Sequence, residues 1–186
     1  MRIQSVLAGS ALVLAMLGFT AFAADKASKQ AEIQKATHEA LEKFYKERPA
    51  LKDEVAKAPG YAVFTTYGVS FLVGGAGGTG LAHDAHSKKD TYMSLAKATA
   101  GINAGISQSD TLIVFKNKKG FDRFVDKGWE FGGEGAIAAG AGKKSAGGGE
   151  GENVVNDAMT YSLTRNGLEV GPALAGSKFW KDKDLN

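Results

Sequence analysis

The sequence predicts an α+β fold: an N-terminal amphipathic helix packed on a glycine-rich, mainly antiparallel β body, with one further short helix. Three observations carry that expectation. Residues 27–51 place Ile33, Ala36, Thr37, Ala40, Leu41 and Phe44 on one helical face, with Glu32, Lys35, Glu39, Glu42 and Lys46 opposite. The composition then changes at a turn signal, Lys57, Ala58, Pro59 and Gly60; from Gly60 onward lie most of the aromatic residues and 23 of the 25 glycines. Finally, short apolar runs recur through this second part, the clearest being Thr111, Leu112, Ile113, Val114 and Phe115.

A chain of 186 residues, 44% hydrophobic and 23% charged, has the length of one domain and enough apolar residues for a core. Residues 1–23 read as a secretory signal peptide: Arg2 supplies the positive start, residues 6–19 are uncharged and apolar, and Ala21, Phe22 and Ala23 form an A-x-A cleavage signal. The apolar stretch is shorter than the roughly 20 residues of a bilayer span. The expected organisation is therefore a leader, 1–23, and a single domain, 24–186, divided into a helical segment to residue 58 and a β-rich body from 59. The expected location is the periplasm or outer membrane, or outside the cell. There is no cysteine, which excludes disulfides and a lipoprotein attachment site. Without Arg2, 22 Lys and Arg stand against 20 Asp and Glu, a formal charge of +2. That balance, together with export, argues against a nucleic-acid partner.

Along the first helix, Glu39 with Lys43 and Glu42 with Lys46 form i, i+4 pairs, and Pro49 marks the terminator. Residues 61–81, YAVFTTYGVSFLVGGAGGTGL, are the segment around which the body is organised. Two β-favouring runs lead into Gly74, Gly75, Gly77, Gly78 and Gly80. Each glycine costs about 0.5–1 kcal/mol in a regular element, so the cluster implies bends, bulges, or a neighbour too close to admit a Cβ. Residues 83–90 read as a polar loop, and for residues 92–96 periodicity does not choose between strand and short helix. Residues 100–106 alternate small and apolar side chains. Phe121, Phe124 and Val125 suggest a short helix ended by Gly128. A second glycine-rich region follows Trp129, residues 143–153 read as a flexible loop, and residues 159–170 form a hairpin about Asn166 and Gly167.

No catalytic motif emerges. Residues 75–80 match G-x-G-x-x-G, but no helical pattern and no acidic residue about twenty positions on complete a dinucleotide site, and no Lys-Ser or Lys-Thr completes a P-loop. His83 and His86 flank Asp84 in a polar segment; metal binding by this pair is left open. Residues 68–72 lack the second glycine of a nucleophile elbow. Glu130 and Glu134 alone do not imply acid/base chemistry. The sequence therefore points to a protein that is not an enzyme and needs no cofactor. More suggestive are bases set among aromatics: Lys116, Lys118, Lys119, Arg123 and Lys127 around Phe115, Phe121 and Phe124, and Lys178, Lys181 and Lys183 beside Phe179 and Trp180. Such residues suit an anionic bilayer surface, at about 1 kcal/mol per Lys or Arg.

The order of these blocks resembles the SYLF domain family. The carriers are AKAPGYAVF at 56–64, residues 68–81 with GGAGGTG, AGINAGISQ at 100–108, residues 111–117, the segment 121–128, Tyr161 with Ser162, and GLEVGPALAGS at 167–177. The match runs over roughly residues 30–182. The resemblance implies a compact helix-plus-β domain that binds lipids, in eukaryotic members phosphoinositides, through an amphipathic N-terminal helix and basic residues. Here these correspond to Ile33, Leu41 and Phe44 with Lys35, Lys43, Lys46 and Arg48. Where the family often carries Lys-Ala before the glycine block, this chain has Thr66 and Tyr67.

Together these readings predict an exported lipid- or membrane-binding domain of the bacterial envelope. The helix set just named would act with Lys118, Lys119, Arg123, Phe179, Trp180 and Lys181 on a phospholipid or membrane surface. The alternative is a structural module that binds a protein partner or itself.

Overall fold

A computed structural model describes residues 10–70, 73–100, 105–130, 157–164, 166–170 and 176–186. Within them run α1 (Ser10–Glu47), α2 (Leu51–Lys57), β1 (Gly60–Ser70), β2 (Val73–Asp84), β3 (Asp90–Ala100), β4 (Gly105–Phe115), α3 (Lys118–Lys127), β5 (Trp129–Glu130), β6 (Ala158–Thr164), β7 (Gly167–Val170) and β8 (Ser177–Lys181). The strands form one antiparallel sheet in the order β5-β8-β3-β2-β1-β4-β6-β7.

The α+β expectation is overturned. An eight-stranded antiparallel sheet dominates the body, and the helices are accessories laid against it. Three helices occur among the described residues rather than two, because α2 forms immediately after the Pro49 turn. The strands exceed those expected because segments without a strand pattern also join the sheet: the glycines of β2, residues 92–96 of β3, whose spacing fits helix and strand alike, and residues 177–181 of β8. Ala62, Val63 and Phe64 are fully buried, so both faces of the sheet are covered at β1.

One face holds Val63, Leu112, Val114 and Tyr161 against Ala40, Leu41 and Phe44 of α1 and Leu51 and Val55 of α2. The other holds Ala62, Phe64, Met93, Leu95, Ile113, Phe115 and Phe179 against Phe121 and Phe124 of α3 and Trp129. Phe124 meets Trp129 edge-on at 4.6 Å and Phe179 at 5.7 Å between ring centres. Burial of each such side chain contributes about 1.5–3 kcal/mol.

The sheet is curled. Lys97 on β3 and Glu169 on β7 are five strands apart, which would separate them by about 24 Å in a flat sheet. Yet burial, which lowers the Lys97 pKa, is opposed by the Glu169 carboxylate. Both residues lie on the α3 side, which is therefore the concave one.

The glycine stretch is regular strand: Gly74 to Gly80 pair with β3 throughout, and Gly75 to Gly80 pair also with β1. At Gly80 a Cβ would stand 2.0 Å from the Val63 carbonyl oxygen, and at Gly78 2.5 Å from that of Thr65. Close backbone approach thus requires these two. Gly77 has open space and Gly75 meets only the Lys97 carbonyl oxygen, at 4.0 Å.

His83 and Asp84, expected in a loop, end β2, and residues 92–96 are strand. The hairpin about Gly167 and the helix ended by Gly128, whose φ is +72°, are present. The glycine-rich region after Trp129 and the loop at 143–153 fall outside the described residues.

Candidate functional site: a basic end of the sheet

Three connections meet at one end of the sheet. These are the α2–β1 link at Ala58 and Pro59, the β2–β3 turn at residues 85–89, and the β4–α3 link at Lys116 and Asn117. Pairing of Gly60 with Asp84 and of His83 with Asp90 sets the first two side by side, and the Ala85 N–H donates to the Pro59 carbonyl at 3.1 Å. An ion pair at 3.3 Å from Lys118 Nζ to Asp84 Oδ2 ties α3 to the turn. The start of α3 is itself fixed, because Asn117 Oδ1 accepts the Gly120 N–H at 2.8 Å.

Asp84 organises the turn. Its Oδ1 accepts the N–H of His86 at 2.9 Å and that of Ser87 at 3.2 Å. Partial desolvation pushes the Asp84 carboxyl up, but the hydrogen bonds from Ser87, His86 and Lys118 outweigh it and bring the pKa down to about 2. The hydrogen bond to Asp122, with further support from Asp84, raises the pKa of Lys118 above the ordinary lysine value. Lys88 occupies the left-handed region, φ 57°, which turns the chain back toward β3.

This arrangement leaves five exposed lysines around one end: Lys57, Lys88, Lys89, Lys116 and Lys119. None has an acid partner among the described residues. A shallow depression lined by Pro59, Ala85, His86 and Lys118 opens among them. Like-charged ammonium groups gathered in this way, beside Asp84 and Asp122 that are already paired with Lys118, favour a polyanionic surface.

The residues singled out from the sequence divide into three places. Lys118, Lys119 and Arg123 join the basic end, Lys118 paired with Asp84 and Asp122, and Arg123 with Asp157 at 3.5 Å. On α1, Ile33, Leu41 and Phe44 are buried against the sheet. Around them, Lys35 lies 3.9 Å from Glu39, Lys43 pairs with the buried Asp110 at 3.0 Å, and Arg48 pairs with Glu54 at 3.1 Å over the Tyr161 ring. Lys46 is exposed without an acid partner among the described residues. On β8, Phe179 is core, while Trp180 is 41% exposed beside the exposed Lys181. His83 Nδ1 is 2.7 Å from Asp90, its ring against Tyr61, whereas His86 is exposed. Among the described residues no cluster of three or more His, Asp or Glu could hold a metal.

Lys57, Lys88 and Lys89 were missed from the sequence. Lys57 ends α2 and Lys88 and Lys89 stand in the β2–β3 turn, and only the strand pairing brings them to Lys116 and Lys119.

Residues 96–186 match the family model described as "Ysc84: Las17-binding protein actin regulator". Beta cell expansion factor A of Aeromonas veronii is 36% identical over 165 residues, an alignment that covers 86% of this chain and 60% of that protein. The chain thus spans less than two thirds of its relative.

Proposed function

The chain belongs to the SYLF family of binding domains, whose Ysc84 model its residues 96–186 match, and on that premise we propose that it docks on anionic lipid surfaces of the bacterial envelope. The carrying observation is the set of five lysines, Lys57 at the end of α2, Lys88 and Lys89 in the β2–β3 turn, Lys116 after β4 and Lys119 in the first turn of α3, with no acid partner among the described residues. Each lysine at an anionic surface contributes about 1 kcal/mol, falling off within a Debye length. The signal peptide at 1–23 delivers the protein across the inner membrane, and the mature chain binds at the periplasmic or outer-membrane surface without catalysis.

In this reading the apolar face of α1 is not the docking element, because Ile33, Leu41 and Phe44 are occupied in the protein's own core. The lysines hold headgroup phosphates, and Trp180 and Lys181 offer a second contact of interfacial type.

Co-sedimentation with phosphatidylglycerol vesicles and with phosphatidylcholine vesicles, each over a salt series, tests the proposal. Binding to the anionic vesicles that weakens steeply with salt is the expected result. Equal binding to both, insensitive to salt, would overturn it in favour of apolar association. Self-association with no lipid effect would favour the interaction-module alternative.

A further inference from the structure

α1 rests on the sheet through two unequal contacts. Its C-terminal half contributes Ala40, Leu41 and Phe44 to a large cluster with α2, β1, β4 and β6. The stretch before these residues, 25–36, contributes Ile33 to a cluster of four, whose other members are Leu81, Tyr92 and Leu185. One of those four comes from the segment after β8.

That segment, residues 182–186, is wedged between α1 and β3. Asp182 folds it: Oδ1 accepts the N–H groups of Asp184 at 3.0 Å and Leu185 at 3.2 Å, and Oδ2 accepts the Ser94 hydroxyl at 3.1 Å. On the sheet side the Asp182 N–H donates to the Tyr92 carbonyl at 3.0 Å. The Asn186 amide then serves Tyr92 as a strand partner would, Nδ2 donating to its carbonyl at 2.7 Å and Oδ1 accepting its N–H at 3.0 Å. On the helix side Gln30 Nε2 donates to the Leu185 carbonyl at 2.7 Å and Lys26 Nζ to the Asn186 carbonyl at 2.9 Å. Gln34 Nε2 closes the set on the Tyr92 hydroxyl at 2.9 Å.

We propose that residues 182–186 are a latch that seats residues 25–36 of α1, so that this part of the helix opens in two stages: residues 25–36 lift when the latch is released, while residues 40–47 stay packed. Small clusters closed by few contacts open at lower free energy than the core they border. Opening uncovers Ile33, Leu81 and Tyr92 as an apolar strip. The latch does not depend on what the basic end binds.

Hydrogen exchange followed by mass spectrometry tests it on the full chain, on Leu185→Asp and on the chain lacking residues 182–186. Amides of residues 25–36 are expected to exchange at least about tenfold faster in both variants, with residues 40–47 and β1 unchanged. Unchanged exchange at 25–36 in both variants would overturn the proposal, as would acceleration of residues 25–36 and 40–47 together. Should the two variants fail to fold, Gln30→Ala and Asn186→Ala, which each remove polar latch contacts without altering Leu185, must show the same split between residues 25–36 and 40–47 in smaller measure. Its absence from both would equally overturn the latch.

Discussion

Lys118 Nζ lies 3.3 Å from Asp84 Oδ2, and this ion pair joins the first turn of α3 to the tip of the β2–β3 hairpin. The same carboxylate accepts two backbone N–H groups of its own turn. Asp84 therefore fixes the geometry on which Lys88 and Lys89 are presented.

Its titration follows from that role. The folded-state pKa, about 2, lies below the ordinary 3.8, so the carboxylate's contribution is complete above pH 3.8 and is lost as the pH falls through 2. After allowance for solvent screening the contribution is on the order of 1 kcal/mol. Denaturant midpoints measured at pH 6 and pH 2.5 should show Asp84→Asn losing less stability on acidification than the parent chain.

Gly80 and Gly77 should respond oppositely to the same substitution. A Cβ at Gly80 meets the Val63 carbonyl oxygen at 2.0 Å and Phe64 Cδ1 at 2.7 Å, so Gly80→Ala forces the strands apart and costs about 1–3 kcal/mol or more. Gly77→Ala enters open space and gains about 0.5–1 kcal/mol from the reduced freedom of the unfolded chain. Urea titrations of the two variants check both signs.

Phe44 is fully buried between α1 and the sheet. Phe44→Ala should cost about 3–5 kcal/mol in a urea titration. A Phe44→Asp protein that fails to bind vesicles would therefore report on folding rather than on docking, and its thermal unfolding must be measured alongside.

The first helix, the hairpin about Gly167, the helix ended by Gly128 and the family itself were legible in the sequence because each rests on local spacing or on ordered blocks. The dominance of the sheet was not. Residues 92–96 lie in β3 although their spacing fits helix and strand alike, and residues 177–181 become β8 only by pairing with β3 and β5, neighbours distant in sequence. The glycines of β2 disguised a regular strand, since what requires Gly78 and Gly80 is the backbone of β1, a neighbour known only from the fold. The basic end was half visible: Lys118, Lys119 and Arg123 share a local segment, whereas Lys57, Lys88 and Lys89 join them only through the register of Gly60 with Asp84 and His83 with Asp90.

The most direct test of the basic end is flotation of the protein and of Lys88→Glu/Lys89→Glu/Lys116→Glu/Lys119→Glu on vesicles of phosphatidylglycerol mixed with phosphatidylcholine. At about 1 kcal/mol per lysine, reversal of four removes at least about 4 kcal/mol of attraction. The parent chain should float with the vesicles and the variant should remain at the bottom of the gradient, with unchanged circular dichroism. Equal flotation of the two folded proteins would contradict the assignment of docking to this end of the sheet.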